Sequence, residues 1–140
     1  MIVVFLMACG AEDSGAPAGD DTGHDGVDCG EASTHDVAIT ALVTAAAGSV
    51  EGVEVTLDDR GWTNAILGSG TTDGRGRVTF TAVGVTSLPN CWGTVLNYWI
   101  VAADPDDAAR TAEDDMNTEL YNAIDGGSFA TDVSDRPLEL

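Results

Sequence analysis

The sequence predicts an all-β protein, an antiparallel β-sandwich of about seven short strands. Apolar residues recur at every second position in several segments, and turns rich in Gly, Asp and Asn separate them at intervals of roughly eight to twelve residues. Few stretches show the spacing of a helix. A closed barrel of the same strands is the competing architecture. The chain of 140 residues has room for one such domain.

The first two strands are predicted from the alternation of apolar and small or polar residues. The first begins at Val37, and its inward positions are Val37, Ile39, Ala41 and Val43. After the turn AAAGSVEG the alternation resumes, and the inward positions of the second strand are Val53, Val55 and Leu57. A short loop therefore joins two half-buried strands.

Glycine-rich turns divide the middle of the chain. The segment WTNAILGSGTT predicts a third strand, and TDGRGR is rich in residues that tolerate a positive φ. The next inward face consists of Val78, Phe80 and Ala82. The run TVLNYWIVAA, residues 94–103, is the most strongly β-forming of the chain, and its near-continuous apolarity predicts a central strand.

The last third of the chain is more polar. The segment DPDDAARTAEDD predicts a loop, with a short helix over AARTAEDDM as the alternative. The segments MNTELYNAI and SFATDVSDRPLEL are the last two strand candidates, separated by DGG.

The opening MIVVFLMACG predicts a processing signal. Seven apolar residues are too few to span a membrane, which takes about 20, but they suit the short apolar region of a secretory signal. They run into Leu6-Met7-Ala8-Cys9, which resembles the bacterial lipobox, a tetrad that marks the cleavage site and whose Cys thiol takes a diacylglycerol. The missing basic segment is explained if the true start lies upstream. A plain secretory signal and a disordered apolar tail are the alternatives.

The resulting organisation has three parts. Residues 1–9 are the lipoprotein signal peptide, residues 10–36 an acidic, disordered linker, and residues 37–140 the β-sandwich domain. Acyl chains on Cys9 would hold the protein on a membrane surface. Gly10 after the lipidated Cys favours the outer membrane, with the domain facing the periplasm or the cell surface.

Charge limits the partners. The chain has 24 acidic residues against five basic ones, for a formal net charge of −19. Nucleic acid is excluded as a partner because phosphate recognition needs a basic surface. No cofactor is implied by any motif. The linker stretch from Asp20 to Glu31 fails as an EF-hand, since the required Gly position holds Asp25.

Three cysteines leave a pair once Cys9 is assigned to the lipid. In an exported protein the expected use of Cys29 and Cys91 is a disulfide, and two unpaired thiols are the alternative.

Candidate binding residues lie in two predicted loops, 86–93 and 104–116. Trp92 follows Cys91 in a Pro-Asn-Cys-Trp-Gly loop, where it either packs against the disulfide or anchors a partner or a sugar ring. Trp62 and Trp99 are core candidates. The second loop carries the acidic residues Asp106, Asp107, Asp114 and Asp115.

Part of the sequence resembles a known group of small β-sandwiches. Gly52-Val-Glu-Val-Thr-Leu57, followed by Gly61-Trp62 and by Leu67-Gly-Ser-Gly-Thr-Thr-Asp-Gly-Arg-Gly-Arg-Val78, is similar to the transthyretin-like and carboxypeptidase-regulatory-like domains. The resemblance implies that the first segment is the second strand and that the last is a strand, a turn and a strand. It covers roughly residues 34–83 and implies a transthyretin-like or Ig-like fold.

One enzyme branch of that group, the 5-hydroxyisourate hydrolases, begins its first strand with a Thr-His pair, which Thr34-His35 matches, and Gly76-Arg77 matches its turn arginine. Its second histidine pair and its C-terminal Tyr-Arg-Gly-Ser have no counterpart here.

The sequence therefore favours a non-catalytic lipoprotein of the cell envelope that presents a binding or structural module to an envelope protein or a glycan. A hydroxyisourate hydrolase and a calcium-dependent adhesion module are the alternatives, and the oligomeric state stays open.

Overall fold

The computed structural model describes residues 28–140 and is mostly β-sheet. In these residues eight strands and one helix follow one another in the order β1 (Ser33–Thr44), β2 (Glu54–Asp59), β3 (Ile66–Thr71), β4 (Arg77–Ser87), β5 (Tyr98–Asp104), β6 (Asp107–Asp115), α1 (Asn117–Asp125), β7 (Ala130–Asp132) and β8 (Leu138–Glu139). The predicted all-β class is confirmed.

The strands form two separate sheets, as a sandwich requires and a closed barrel does not. One sheet has the order β4-β1-β7, with β8 paired to β1 as well, and the other has the order β3-β2-β5-β6. The second sheet is antiparallel throughout, but β7 and β8 run parallel to β1. The long strand β1 thus organises the first sheet, with β4 on one side and the two short strands on the other.

The core lies between the sheets, and the predicted inward positions fill it. Every residue predicted to face inward in the regions of β1, β2 and β4 is buried, including Val53, which immediately precedes β2; the set is Val37, Ile39, Ala41, Val43, Val53, Val55, Leu57, Val78, Phe80 and Ala82. The strand β1 starts at Ser33, four residues before the alternation begins at Val37, because its first residues pair with β4 without burying side chains. The end of the predicted linker is therefore part of this strand.

Two predictions for the last third of the chain are wrong. Residues 107–115 are the edge strand β6, where a loop was expected, and they follow a two-residue turn at Pro105-Asp106. Residues 117–125 are the helix α1, where a strand was expected; it buries Leu120 and Ala123 at helical spacing. The final segment, expected as one strand, gives the two short strands β7 and β8.

A buried tyrosine ties the two sheets together. The hydroxyl of Tyr98, at the start of β5, accepts a hydrogen bond from the Thr86 N–H (3.0 Å) and donates one to the Thr86 carbonyl (2.9 Å) on β4. Burial raises the pKa of Tyr98 to about 12, and the nearby Asp59 carboxylate adds to the rise. The neutral phenol therefore joins strands of opposite sheets.

The two ends of the sandwich differ in chemistry. We call one the disulfide end; it comprises the loops 60–65 and 88–97, the start of the described chain at 28–32, and the start of α1. The other, the hairpin end, comprises the loops 45–53, 72–76 and 105–106 together with the last residue, Leu140. Trp62, Trp92, Tyr98, Trp99 and Tyr121 lie toward the disulfide end, whereas the loops of the hairpin end contain no aromatic residue.

Candidate functional site

An open cleft at the disulfide end is the candidate site. It has a volume of about 560 Å³ and lies between the β4–β5 connection and the start of α1. Its lining includes Asn90, Trp92, Asn97, Asp115, Asn117 and Tyr121. The volume falls in the range of roughly 300–1,000 Å³ that is typical of small-molecule sites.

The predicted disulfide is present and holds one wall of this cleft. A disulfide bond joins Cys29 and Cys91, which are 62 positions apart in the sequence. It fixes the segment that precedes β1 to the β4–β5 connection. Asn90 adds two hydrogen bonds, from its N–H to the Cys29 carbonyl (3.3 Å) and from its side-chain amide to the Asp28 carbonyl (2.9 Å). This wall is therefore held by a disulfide and two hydrogen bonds that are not part of the strand pairing.

Two aromatic rings form the apolar part of the cleft. Trp92 packs edge-to-face on Tyr121, with ring centroids 5.7 Å apart, and lies 5.9 Å from the ring of Tyr98. Trp92 is half-buried, and its indole N–H has no acceptor among the described residues. Tyr121 keeps 38% of its surface exposed. The ring pair is therefore supported from below and open to solvent on the Tyr121 side.

The other tryptophans divide differently from the prediction. Trp62 is 50% exposed in the β2–β3 loop, so its assignment to the core is wrong. The cause is local: the buried carboxylate of Asp59 accepts hydrogen bonds from the backbone N–H groups of residues 61, 62 and 63, and this turn directs the loop outward. Trp99 is half-buried, with the Arg60 guanidinium 5.1 Å above its ring.

A chain of side-chain hydrogen bonds fixes the polar wall. The Asn117 side chain accepts a hydrogen bond from the Tyr98 N–H (3.0 Å) and donates one to the Asp115 carboxylate (2.7 Å). The same carboxylate accepts the Asn117 N–H (3.0 Å), and Asn97 accepts the Trp99 indole N–H (2.8 Å). Each amide keeps further donor or acceptor capacity, so the wall presents oriented polar groups toward the cleft.

The predicted acidic surface is divided between the two ends of the molecule. Asp115 pairs with Trp99 at the disulfide end, whereas Asp107 pairs with Asp104 at the hairpin end. Five residues of β5 separate these positions, about 17 Å at strand spacing. Asp106 lies in the tight turn Pro105-Asp106, where its N–H donates to Asp104, and Asp107 is the first residue of β6. Of the predicted acidic residues, only Asp115 lines the cleft.

Asp114 has a different use. Its carboxylate lies 3.2 Å from one nitrogen of Arg136, and another nitrogen of the same guanidinium lies 2.8 Å from Glu119. The arginine therefore fastens the end of β6 and the first turn of α1 to the C-terminal segment. Since all three groups are partly solvent-exposed, this contribution is modest.

The residues matched to the hydrolase family do not meet within the chain. His35 pairs with Val85 at one end of the β1–β4 ladder, and Arg77 pairs with Leu42 at the other, about 25 Å away at strand spacing. His35 contacts the Ser33 hydroxyl (2.9 Å) and stacks on Phe129, with centroids 5.3 Å apart. Arg77 lies 3.9 Å from Asp132.

No group of three or more His, Cys, Asp or Glu side chains in residues 28–140 is arranged to hold a metal ion. Cys9 and most of the Asp20–Glu31 stretch lie outside the described residues. The sequence reasoning missed the contribution of α1, whose Asn117 and Tyr121 complete the cleft. The spacing of Leu120 and Ala123 was the available signal for that helix.

Comparison with known proteins gives no relative: no family model, no curated protein and no solved structure matches this chain. No helix within the described range has the length and apolarity to cross a membrane. The fold and the site together define a single β-sandwich domain, cross-linked by a disulfide, with an aromatic and amide-lined cleft at the end where the described chain begins.

Proposed function

We propose that this chain is an exported lipoprotein that presents a non-catalytic binding module on the cell envelope. The observation that carries the binding role is the cleft, whose lining combines an aromatic pair with three amide side chains that are held by internal hydrogen bonds. The anchor rests on the lipobox-like Leu6-Met7-Ala8-Cys9. The disulfide supports export, because such bonds persist in oxidising compartments.

The composition of the cleft favours recognition over catalysis. Its lining carries one carboxylate, Asp115, which is already engaged by Asn117. The lining contains neither a histidine nor a cysteine, and the hydroxyl of Thr118 has no basic partner there to activate it. Groups that are oriented by structural hydrogen bonds suit the binding of a ligand in one pose.

Membership in the transthyretin-like and carboxypeptidase-regulatory-like group is part of the proposal. The resemblance implies a second strand within residues 52–57 and a strand, turn and strand within 67–78. The elements β2, the pair β3 and β4, and the turn between them occupy these places. This agreement supports the group at the level of fold.

The position of the chain's entry gives the module an orientation. Cys29 lies at the cleft, whereas the C-terminal strand β8 lies toward the hairpin end. Residues 10–27 would connect Cys9 to this entry, and 18 residues span at most about 60 Å in any conformation. On this proposal the cleft operates within that distance of the membrane, and envelope components in this layer are its natural partners.

Fractionation of cells tests the anchor. The gene is expressed with its upstream sequence, as the wild type and as Cys9→Ser, and the protein is quantified in membrane and soluble fractions. We expect the wild type in the membrane fraction and Cys9→Ser in the soluble fraction, because the acyl chains supply the attachment. The variant Cys29→Ala/Cys91→Ala keeps Cys9 and should stay with the membrane. Equal partitioning of Cys9→Ser and wild type would contradict the proposal.

A further inference from the structure

We infer that the cleft is a binding site for uncharged oligosaccharides. This inference rests on the proposed binding role and names its ligand class. Three properties of the described cleft lead to it: an aromatic pair of which Tyr121 is 38% exposed, three amide side chains with free hydrogen-bonding capacity, and a lining that contains no basic residue and a single acidic one.

The aromatic pair suits the apolar face of a sugar ring. Tyr121 is open to solvent and is held by its edge-to-face contact with Trp92, which in turn packs on the buried Tyr98. A pyranose presents weakly positive C–H groups on one face, and these pack against the negative face of an aromatic ring. Because the two rings are already braced by their neighbours, little side-chain entropy is lost when a ligand covers them.

The polar wall suits vicinal hydroxyls, each of which both donates and accepts. Asn90, Asn97 and Asn117 each use part of their amide for an internal hydrogen bond and keep the remainder. The retained groups include the Asn90 amide oxygen and donors on the other two side chains. Thr118 adds a hydroxyl at the exposed start of α1. The lining therefore offers both donors and acceptors beside the aromatic pair.

Charge and geometry disfavour two other ligand classes. Anionic ligands meet no basic side chain in the lining, and they meet the Asp115 carboxylate on a protein of formal net charge −19. The aromatic cages that recognise quaternary ammonium ions enclose the cation between ring faces, whereas Trp92 and Tyr121 contact each other with centroids 5.7 Å apart and leave no such space between them. An uncharged ligand with one apolar face and many hydroxyls satisfies both conditions.

Calorimetric titration of the full chain tests the inference. The probes are the uncharged hexamers of β-1,4-linked glucose and N-acetylglucosamine, and the anionic hexamer of galacturonic acid. We expect saturable binding of at least one uncharged hexamer and at least tenfold weaker binding of the anionic one. The variant Tyr121→Ala should weaken binding by about tenfold or more, whereas Trp62→Ala, which removes an exposed tryptophan outside the cleft lining, should leave it within about twofold.

A second variant covers the case in which Tyr121→Ala fails to fold. Thr118→Val keeps the shape of an exposed side chain and removes only its hydroxyl, so we expect binding to weaken about threefold to tenfold. Absence of binding by both uncharged hexamers, or binding that the cleft variants leave unchanged, would overturn the inference. Either result would still be compatible with the proposed lipid-anchored protein if Cys9→Ser moves the protein from the membrane fraction to the soluble one.

Discussion

Removal of the disulfide should destabilise the domain strongly, and its expected size follows from the chain length that it closes. The bond joins residues 62 positions apart. The loop-closure entropy that it removes from the unfolded chain corresponds to about 4 kcal/mol at 25 °C. Domains of this size have total stabilities of roughly 5–15 kcal/mol, so the loss would be a large fraction of the whole.

The test compares urea unfolding, followed by tryptophan fluorescence, in a Cys9→Ser background that removes the third thiol. The background protein is measured oxidised and reduced, and Cys29→Ala/Cys91→Ala is measured beside it. The reduced protein retains both sulfur atoms, so it separates the loss of the cross-link from the loss of packing by Cys91, which is buried. We expect both forms to lose about 3–5 kcal/mol relative to the oxidised background.

A loss below about 1 kcal/mol in both forms would refute the reasoning, because the cross-link would then remove far less loop-closure entropy from the unfolded chain than its 62-residue separation implies. A loss confined to the alanine variant would point to packing of the Cys91 side chain and not to the cross-link.

Further predictions concern three local features of the fold. Tyr98→Phe should lower the free energy of unfolding by about 2–4 kcal/mol, since it leaves the Thr86 N–H and carbonyl unpaired in the interior. Because folding raises the pKa of Tyr98 to about 12, its contribution is complete below about pH 10 and is lost as the pH rises from 10 to 12; ultraviolet titration should show a late-ionising phenol that Tyr98→Phe abolishes. Asp59→Ala should cost about 2–4 kcal/mol in chemical unfolding, because four hydrogen bonds of the β2–β3 loop converge on this carboxylate, and a loss under about 0.5 kcal/mol would contradict that role. Gly76→Ala should lower the melting temperature well beyond Gly84→Ala: both glycines have φ near +75°, at 76° and 73°, but only at Gly76 would a Cβ collide with a backbone carbonyl of β1. Equal decreases in melting temperature would show that the positive φ alone, and not the collision of the Cβ, determines the destabilisation.

The sequence predicted the parts of the fold that bury one face of a strand. In β1, β2 and β4 the pleat places alternate residues in the core, so apolar residues occur at every second position of the sequence. The disulfide was also predictable, because an exported chain with one cysteine assigned to the lipid leaves a single pair.

The polar edge strand gave no such signal. No residue of β6 is buried, and its acidic side chains discourage pairing with another sheet edge. A strand of this kind has no apolar alternation to detect, and its residues read as a loop. The helix α1 has only nine residues, and its two buried positions, Leu120 and Ala123, give a single helical spacing, which is too little for a clear helical period.

The cleft was beyond sequence reasoning for a topological reason. Its walls come from the β4–β5 connection, the end of β6 and the start of α1, and they meet only because β5 and β6 form a hairpin that brings Asp115 opposite Trp99. The sequence singles out Trp92, but its partner Tyr121 lies far along the chain, in a helix whose sequence predicts a strand. Contacts of this kind depend on tertiary packing and not on local pattern.

The intact mass of the membrane-extracted protein, expressed with its upstream sequence, tests the central claim most directly. The account predicts a chain that begins at Cys9, carries acyl chains on that residue, and has two hydrogens fewer than the form with free thiols at Cys29 and Cys91. An uncleaved and unmodified chain recovered from the soluble fraction would contradict the account, because neither the anchor nor the envelope setting of the cleft would then have support.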